Sequence, residues 1–165
     1  MKKIVIVASM LLTGIAVMAG GDIVPIETGV VSATVNAPCR TGDVYIEKDA
    51  DLMWQDELYK DHEEGAYKNG RSAGKAGSLN HANKYCRSLN YAGYSDWRLP
   101  TVNELINLHN KNDILQYSIA ADFWSSTPDK GNKYWAVYSA DGHPYKHNRG
   151  DSQYIRCVRC LGDAK

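Results

Sequence analysis

The sequence has no surplus of either charge: 19 Lys and Arg stand against 19 Asp and Glu in 165 residues. Without a basic excess it cannot neutralise a run of phosphates, which excludes a general nucleic-acid binder. It has no G-x-S-x-G elbow, and its five histidines, His62, His81, His109, His143 and His147, are scattered. No catalytic centre, metal site or cofactor is therefore read from the residues. It has no second CxxC beside Cys157-Val158-Arg159-Cys160 and no closely spaced Cys/His pair. Metal ligation or redox chemistry there is the weaker alternative to structural disulfides. Finally, its one long apolar run, Ile4 to Val17, gives way to Gly20, Gly21 and Asp22 before the roughly 20 residues that a membrane span needs.

That run has a different meaning. Lys2 and Lys3 precede it and the small-residue stretch Val17-Met18-Ala19 closes it, the pattern of a secretory signal peptide over residues 1–19 with cleavage expected after Ala19. The expected mature chain is exported, to the periplasm or beyond the cell, with no membrane span. No Cys stands directly after the cleavage point, where Gly20 lies, so a lipid anchor is not expected. Its 146 residues (165 minus 19) suit one domain, and its net charge is −2 (17 basic minus 19 acidic). An even number of cysteines, Cys39, Cys86, Cys157 and Cys160, in an oxidising compartment leads to an expectation of two disulfides.

Residues 20–42, interrupted by Pro25 and Pro38, read as an extended lead-in. Val44 and Ile46 alternate, and Leu52-Met53-Trp54 follows an acidic turn, which predicts a β-hairpin. The polar, glycine-containing stretch from Asp56 to Gly77 reads as a long loop. Ser78 then caps a helix bearing Leu79, Ala82, Tyr85, Cys86 and Leu89 at three- and four-residue spacing. Thr101 and Glu104 form a capping box for a second helix with Leu105 and Leu108 inward. Phe123-Trp124-Ser125-Ser126 reads as a buried strand, and residues 134–139 as one arm of a hairpin turning at Asp141-Gly142. Gln153 to Arg159 reads as the last strand. Two helices among β-hairpins make the fold α+β.

The segments Leu52-Met53-Trp54-Gln55-Asp56, Ala82 to Cys86, Ala92 to Thr101 with Glu104-Leu105, Phe123 to Thr127 and Tyr154 to Arg159 resemble, in that order, the Lcl C-terminal domain family, named for the end domain of a collagen-like bacterial adhesin. The resemblance covers residues 43–160, leaving 161–165 as a tail. One departure is Asp51, where the family usually has Gly. The family is similar to C-type lectins and to the formylglycine-generating enzyme fold, which implies a C-type-lectin-like mixed domain. It implies a Cys86–Cys157 bridge, since those residues occupy the places of a lectin disulfide, with Cys39 and Cys160 left to pair. The calcium-dependent lectin tripeptides Glu-Pro-Asn, Gln-Pro-Asp and Trp-Asn-Asp are absent. The acidic loop residues Asp49, Asp51, Asp56 and Asp61 could hold calcium but lack a defined spacing.

Trp54, Trp97, Arg98, Leu99, Pro100 and Trp124 are assigned structural roles, with Arg98 expected to meet a carboxylate or carbonyls. Tyr138, Tyr145, Lys146, His147 and Arg149, on and beyond the hairpin turn, are the candidate ligand-binding residues, because aromatics stack on sugars and cations suit sulfate or carboxylate. The expected function is a non-catalytic, adhesin-type module whose partner is a polyanionic glycan or an envelope or host-surface protein. An accessory subunit of a cell-envelope assembly is the alternative, and a thiol-dependent oxidase-like enzyme a weaker one. Charge is unevenly spread: Asp43 to Glu64 holds nine acidic residues against Lys48 and Lys60, and Asp129 to Arg159 six basic against three acidic. That pattern fits either a two-faced domain or ordinary solvated surfaces.

Overall fold

A computed structural model describes residues 44–112 and 114–162. The expected signal segment, the lead-in with Cys39, and residues 163–165 lie outside the described residues. Strands β1 (Val44–Glu47) and β2 (Leu52–Gln55) form the first hairpin, joined by a 3-10 turn at Lys48–Ala50. Asp51 closes that turn at φ +53°, a left-handed conformation that glycine enters without steric cost. Then follow α1 (Asp61–Lys68), β3 (Ala76–Gly77), α2 (Leu79–Ser88), α3 (Val102–His109), β4 (Asp122–Pro128), β5 (Lys133–Tyr138), β6 (Pro144–Asn148), β7 (Gln153–Tyr154) and β8 (Val158–Cys160).

The strands make two sheets, one of order β1-β2-β8 and one of order β3-β7-β4-β5-β6. In the larger sheet β4 and β7 run parallel and the other pairs antiparallel. Among the described residues no helix is long and apolar enough to cross a membrane.

Two apolar clusters explain why several strands read as unbroken hydrophobic runs. Met53, Trp124, Ala136, Ile155 and Cys157 join one cluster with Leu79, Ala82 and Cys86 of α2. Their sequence neighbours Leu52, Trp54, Phe123, Val137, Tyr154 and Val158 join the other, with Leu105 and Leu108 of α3 and Ala66 of α1. Successive strand residues point to opposite faces, so these strands bury both.

The residues expected to be structural occupy this interior. Trp54, Trp97, Leu99 and Trp124 are buried, and Pro100 is fully enclosed. Each indole is satisfied, as burial requires: Trp54 donates to Glu47 at 2.7 Å, Trp124 to the Gly77 carbonyl at 2.7 Å, and Trp97 to the carbonyls of Tyr91 and Tyr94. Arg98 exchanges two backbone hydrogen bonds with Val158, extending β8, and grips Glu104 with both terminal nitrogens at 2.9 and 2.7 Å.

Three expectations need correction. Among the described residues there are three α-helices, not two. The stretch read as a long loop contains α1, which has almost no apolar period, being Asp-His-Glu-Glu-Gly-Ala-Tyr-Lys. Polar contacts hold it instead: buried Glu63 accepts from the backbone of Lys60 at 2.8 Å and of Lys75 at 2.7 Å. Gly74 has φ +52° and lies so close that a Cβ there would stand 2.4 Å from Glu63 Oε1. The last strand is two strands, because Tyr154 pairs into the larger sheet and Val158 into the smaller. The chain changes sheets at Ile155–Cys157. Finally, one disulfide is present among the described residues, Cys86–Cys157, with Cα atoms 5.6 Å apart. Cys160 carries a free, exposed thiol. The bridge spans a separation of 71 residues, a closure worth about 4 kcal/mol in the chain-entropy account.

At the crossover, Arg156 is 2% exposed. It donates to the Gln55 carbonyl at 2.9 Å and to the Tyr117 carbonyl, and lies 3.4 Å from Asp56 Oδ1. Asp56 in turn accepts from the backbone of Gln116 and Tyr117 at 2.7 and 2.9 Å. Replacing Arg156 with Met leaves Asp56 buried and uncompensated, so chemical denaturation should show a loss of about 3–5 kcal/mol; a loss below about 1 kcal/mol would refute this role.

Burial raises the Glu104 pKa, but hydrogen bonds from Arg98 and Thr101 more than offset it and leave the carboxyl below its ordinary value. A depressed folded pKa gives stability that is present above the unfolded value of about 4.3 and lost as pH falls through the folded one. Glu104→Gln should therefore cost about 1 kcal/mol at pH 7, and urea titrations should show the gap to wild type closing below about pH 4. A gap that persists unchanged at acidic pH would contradict the assignment.

Candidate functional site

The candidate ligand residues lie on β5, on the edge strand β6 and just past it. The hairpin register pairs Tyr134 with His147, Trp135 with Lys146 and Ala136 with Tyr145. Alternation therefore splits the set. Tyr145 and His147 stand on the face that Trp124 and Ala136 share with α2, and Lys146 stands on the opposite face with Trp135.

Lys146 is already engaged. Its ammonium lies 3.1 Å from Asp129 and 4.7 Å from the centroid of the Trp135 ring. Tyr145 is 45% exposed, with its ring 4.7 Å from His143. Tyr138, at the end of β5, is half-buried opposite Asp122. Arg149 leaves the strand and donates to Asn80 of α2 at 2.7 Å, while its carbonyl accepts from the Leu79 backbone at 3.1 Å.

Arg149 thereby joins β6 to the exposed side of α2. There Asn80, Asn83, Lys84, Arg87 and Ser88 line a shallow cleft. Helix α2 carries no acidic residue, and neither Lys84 nor Arg87 makes an ion pair among the described residues. Sequence reasoning missed Lys84 and Arg87 because each sits on a polar helix face, where a solvated cation is the ordinary reading. Both line the same cleft, and Arg149 meets their helix through Asn80.

Below this surface lies a polar cluster built on His147. The Gln153 amide nitrogen donates to Nδ1 at 3.0 Å, leaving Nε2 as the protonated nitrogen, 3.4 Å from Asp122 Oδ2. The ring stands edge-on to Trp124, with centroids 5.9 Å apart. Asp122 Oδ1, His147 Nε2 and Gln153 Oε1 are buried without a hydrogen-bond partner. One N–H donor between two acceptors suits a water molecule or a hydroxyl group. Asp122 and Gln153 are also absent from the sequence-derived set, since nothing in their local sequence marks them.

Part of the uneven charge of the sequence is internal. From the acidic stretch Glu47, Asp56 and Glu63 are buried, and from the basic stretch Arg156 and Arg159. Glu47 lies 3.3 Å from Lys111, and Arg159 donates to Asp96 at 2.7 Å. Of the acidic loop residues, Asp49 is held by Lys111 at 2.7 Å. Among the described residues no three His, Cys, Asp or Glu side chains are grouped to hold a metal ion.

The model of the Lcl C-terminal domain matches residues 43–159. No curated protein matches the chain. The geometry around His147 requires the neutral ring to carry its proton on Nε2 with Nδ1 accepting, a state that long-range 1H–15N correlation spectra at pH 8 will report; a protonated Nδ1 would mean that the Gln153 contact is wrongly assigned.

Proposed function

We propose, from the premise that the chain belongs to the Lcl C-terminal domain family, that it is an exported, non-catalytic binding module of C-type-lectin-like fold that takes an anionic glycan. The ligand lies along the surface shared by β6 and α2. The observation that carries this reading is the cleft on α2 lined by Lys84 and Arg87, on a helix that carries no acidic residue and that Arg149 meets through Asn80. Cations without internal carboxylate partners are free to meet sulfate or carboxylate, Arg in a two-pronged geometry and Lys as a point charge. Exposed Tyr145 on the same face of the sheet offers a ring for a sugar to stack on. The disulfide supports export, because such bonds persist in oxidising compartments.

Lys146 contributes little in this reading, since Asp129 already neutralises it on the far face. Its partner's carboxyl reflects the contact: burial raises the Asp129 pKa, but the hydrogen bond from Lys146 leads the effects that bring it below the ordinary value.

The test is retention of the oxidised chain on immobilised heparin at low and at physiological salt. Wild type should be retained at low salt and elute as salt rises, Arg87→Ala/Arg149→Ala should flow through, and Lys146→Ala should behave as wild type. Absence of retention for wild type, or unchanged retention of the double variant, would overturn the reading.

A further inference from the structure

A second concavity lies on the other side of the larger sheet, away from the β6 and α2 surface. It is a cavity of about 460 Å³ between α3, Asn112 and the residues from Ile114 to Ala120, and the floor of β4 and β5. That volume falls within the range of small-molecule sites. Its floor is buried and apolar, formed by Leu105, Leu108, Phe123 and Val137. Over it stand Ile114, Leu115 and Ile119, which pack against the same apolar cluster yet remain partly exposed. Aliphatic side chains that neither close the space nor leave it to solvent make an apolar cup.

The cup has one polar pole. His109 lines it, and the ring is fixed from two sides. Nδ1 lies 3.0 Å from the Ser139 carbonyl and donates to it. Gly142, at φ +70° in the β5–β6 turn, approaches so closely that a Cβ there would stand 2.4 Å from His109 Cδ2. In the neutral ring Nε2 then carries the lone pair, and it has no partner among the described residues.

The other polar groups nearby are occupied. The Ser139 hydroxyl donates to the Ile119 carbonyl and accepts from the Ala121 backbone at 3.2 Å. Arg156 is spent on Gln55, Asp56 and Tyr117. Among the described residues the lining contains no carboxylate, and its one guanidinium is already paired with Asp56, so these residues match neither an ammonium nor an extra anion.

From this we infer that the cavity is a binding site for a small uncharged aromatic alcohol, its ring against Phe123 and Val137 and its hydroxyl donating to His109 Nε2. This site is independent of the glycan surface: none of the α2 cations or β6 residues lines it.

The experiment is a 1H–15N NMR titration of the full oxidised chain with 2-naphthol and with 2-methoxynaphthalene, which has the same rings but no donor. Wild type should show saturable shifts centred on Leu108, Ile119 and Val137, with 2-naphthol binding roughly five- to tenfold more tightly, the worth of one net hydrogen bond. Ala120→Trp, at the exposed rim, should fill the cup and abolish both titrations, and Ser118→Trp serves if that variant fails to fold. His109→Phe should keep the binding of both compounds and erase the preference. Absence of saturable shifts in wild type, equal affinity for the two compounds, or shifts that survive the tryptophan would each overturn the inference. Heparin retention of the same samples reports on the other surface, so failure at one site is distinguishable from failure at the other.

Discussion

The buried guanidinium of Arg156 is the constraint on which the other parts depend. At the point where the chain leaves one sheet for the other, it binds the end of β2 through the Gln55 carbonyl and the 110–121 connection through the Tyr117 carbonyl. Phe123 and Tyr59 stack on it at 5.5 and 5.6 Å. A buried cation is costly unless every donor finds an acceptor, so the surrounding backbone must converge on it. Asp56 completes the set by holding Gln116 and Tyr117 from the other side.

A second buried cation works the same way nearby. Lys75 lies between Glu57 at 3.1 Å and Glu63 at 3.8 Å and donates to the Leu58 carbonyl at 2.7 Å. Through Glu63 it anchors α1, a helix whose own residues provide little apolar surface. The environment is closed enough that burial raises the Tyr59 hydroxyl above its ordinary pKa and pushes that of Tyr85 up to about 12. The domain thus rests on two apolar clusters with a polar seam beside them, a seam satisfied by pairing.

The candidate surfaces follow from this frame. A larger sheet covered on both faces leaves its outer strand, β6, and the exposed side of α2 as places where cations remain accessible. On the opposite face, the connection pinned by Asp56 and Arg156 stands over Phe123 and Val137 without filling the space, which produces the cup beside His109.

Local chemistry was legible in the sequence wherever one residue acts on its near neighbours. The capping of α2 by Ser78 and of α3 by Thr101 and Glu104, the inward rows of Leu79, Ala82 and Cys86, and the Asp141-Gly142 hairpin turn all depend on spacing within one element. The family resemblance extended that reach to the Cys86–Cys157 bridge. Relations between distant segments were decided only by the tertiary structure. Helix α1 forms because Glu63 meets Lys75, the final strand divides because Tyr154 and Val158 find different partners, and Lys146 is set apart from Tyr145 and His147 because Asp129 and Trp135 meet it on the far face. Hydrophobic periodicity and caps are short-range signals written in one segment, whereas a buried ion pair or a shared surface is a property of two segments that only the folded chain brings together.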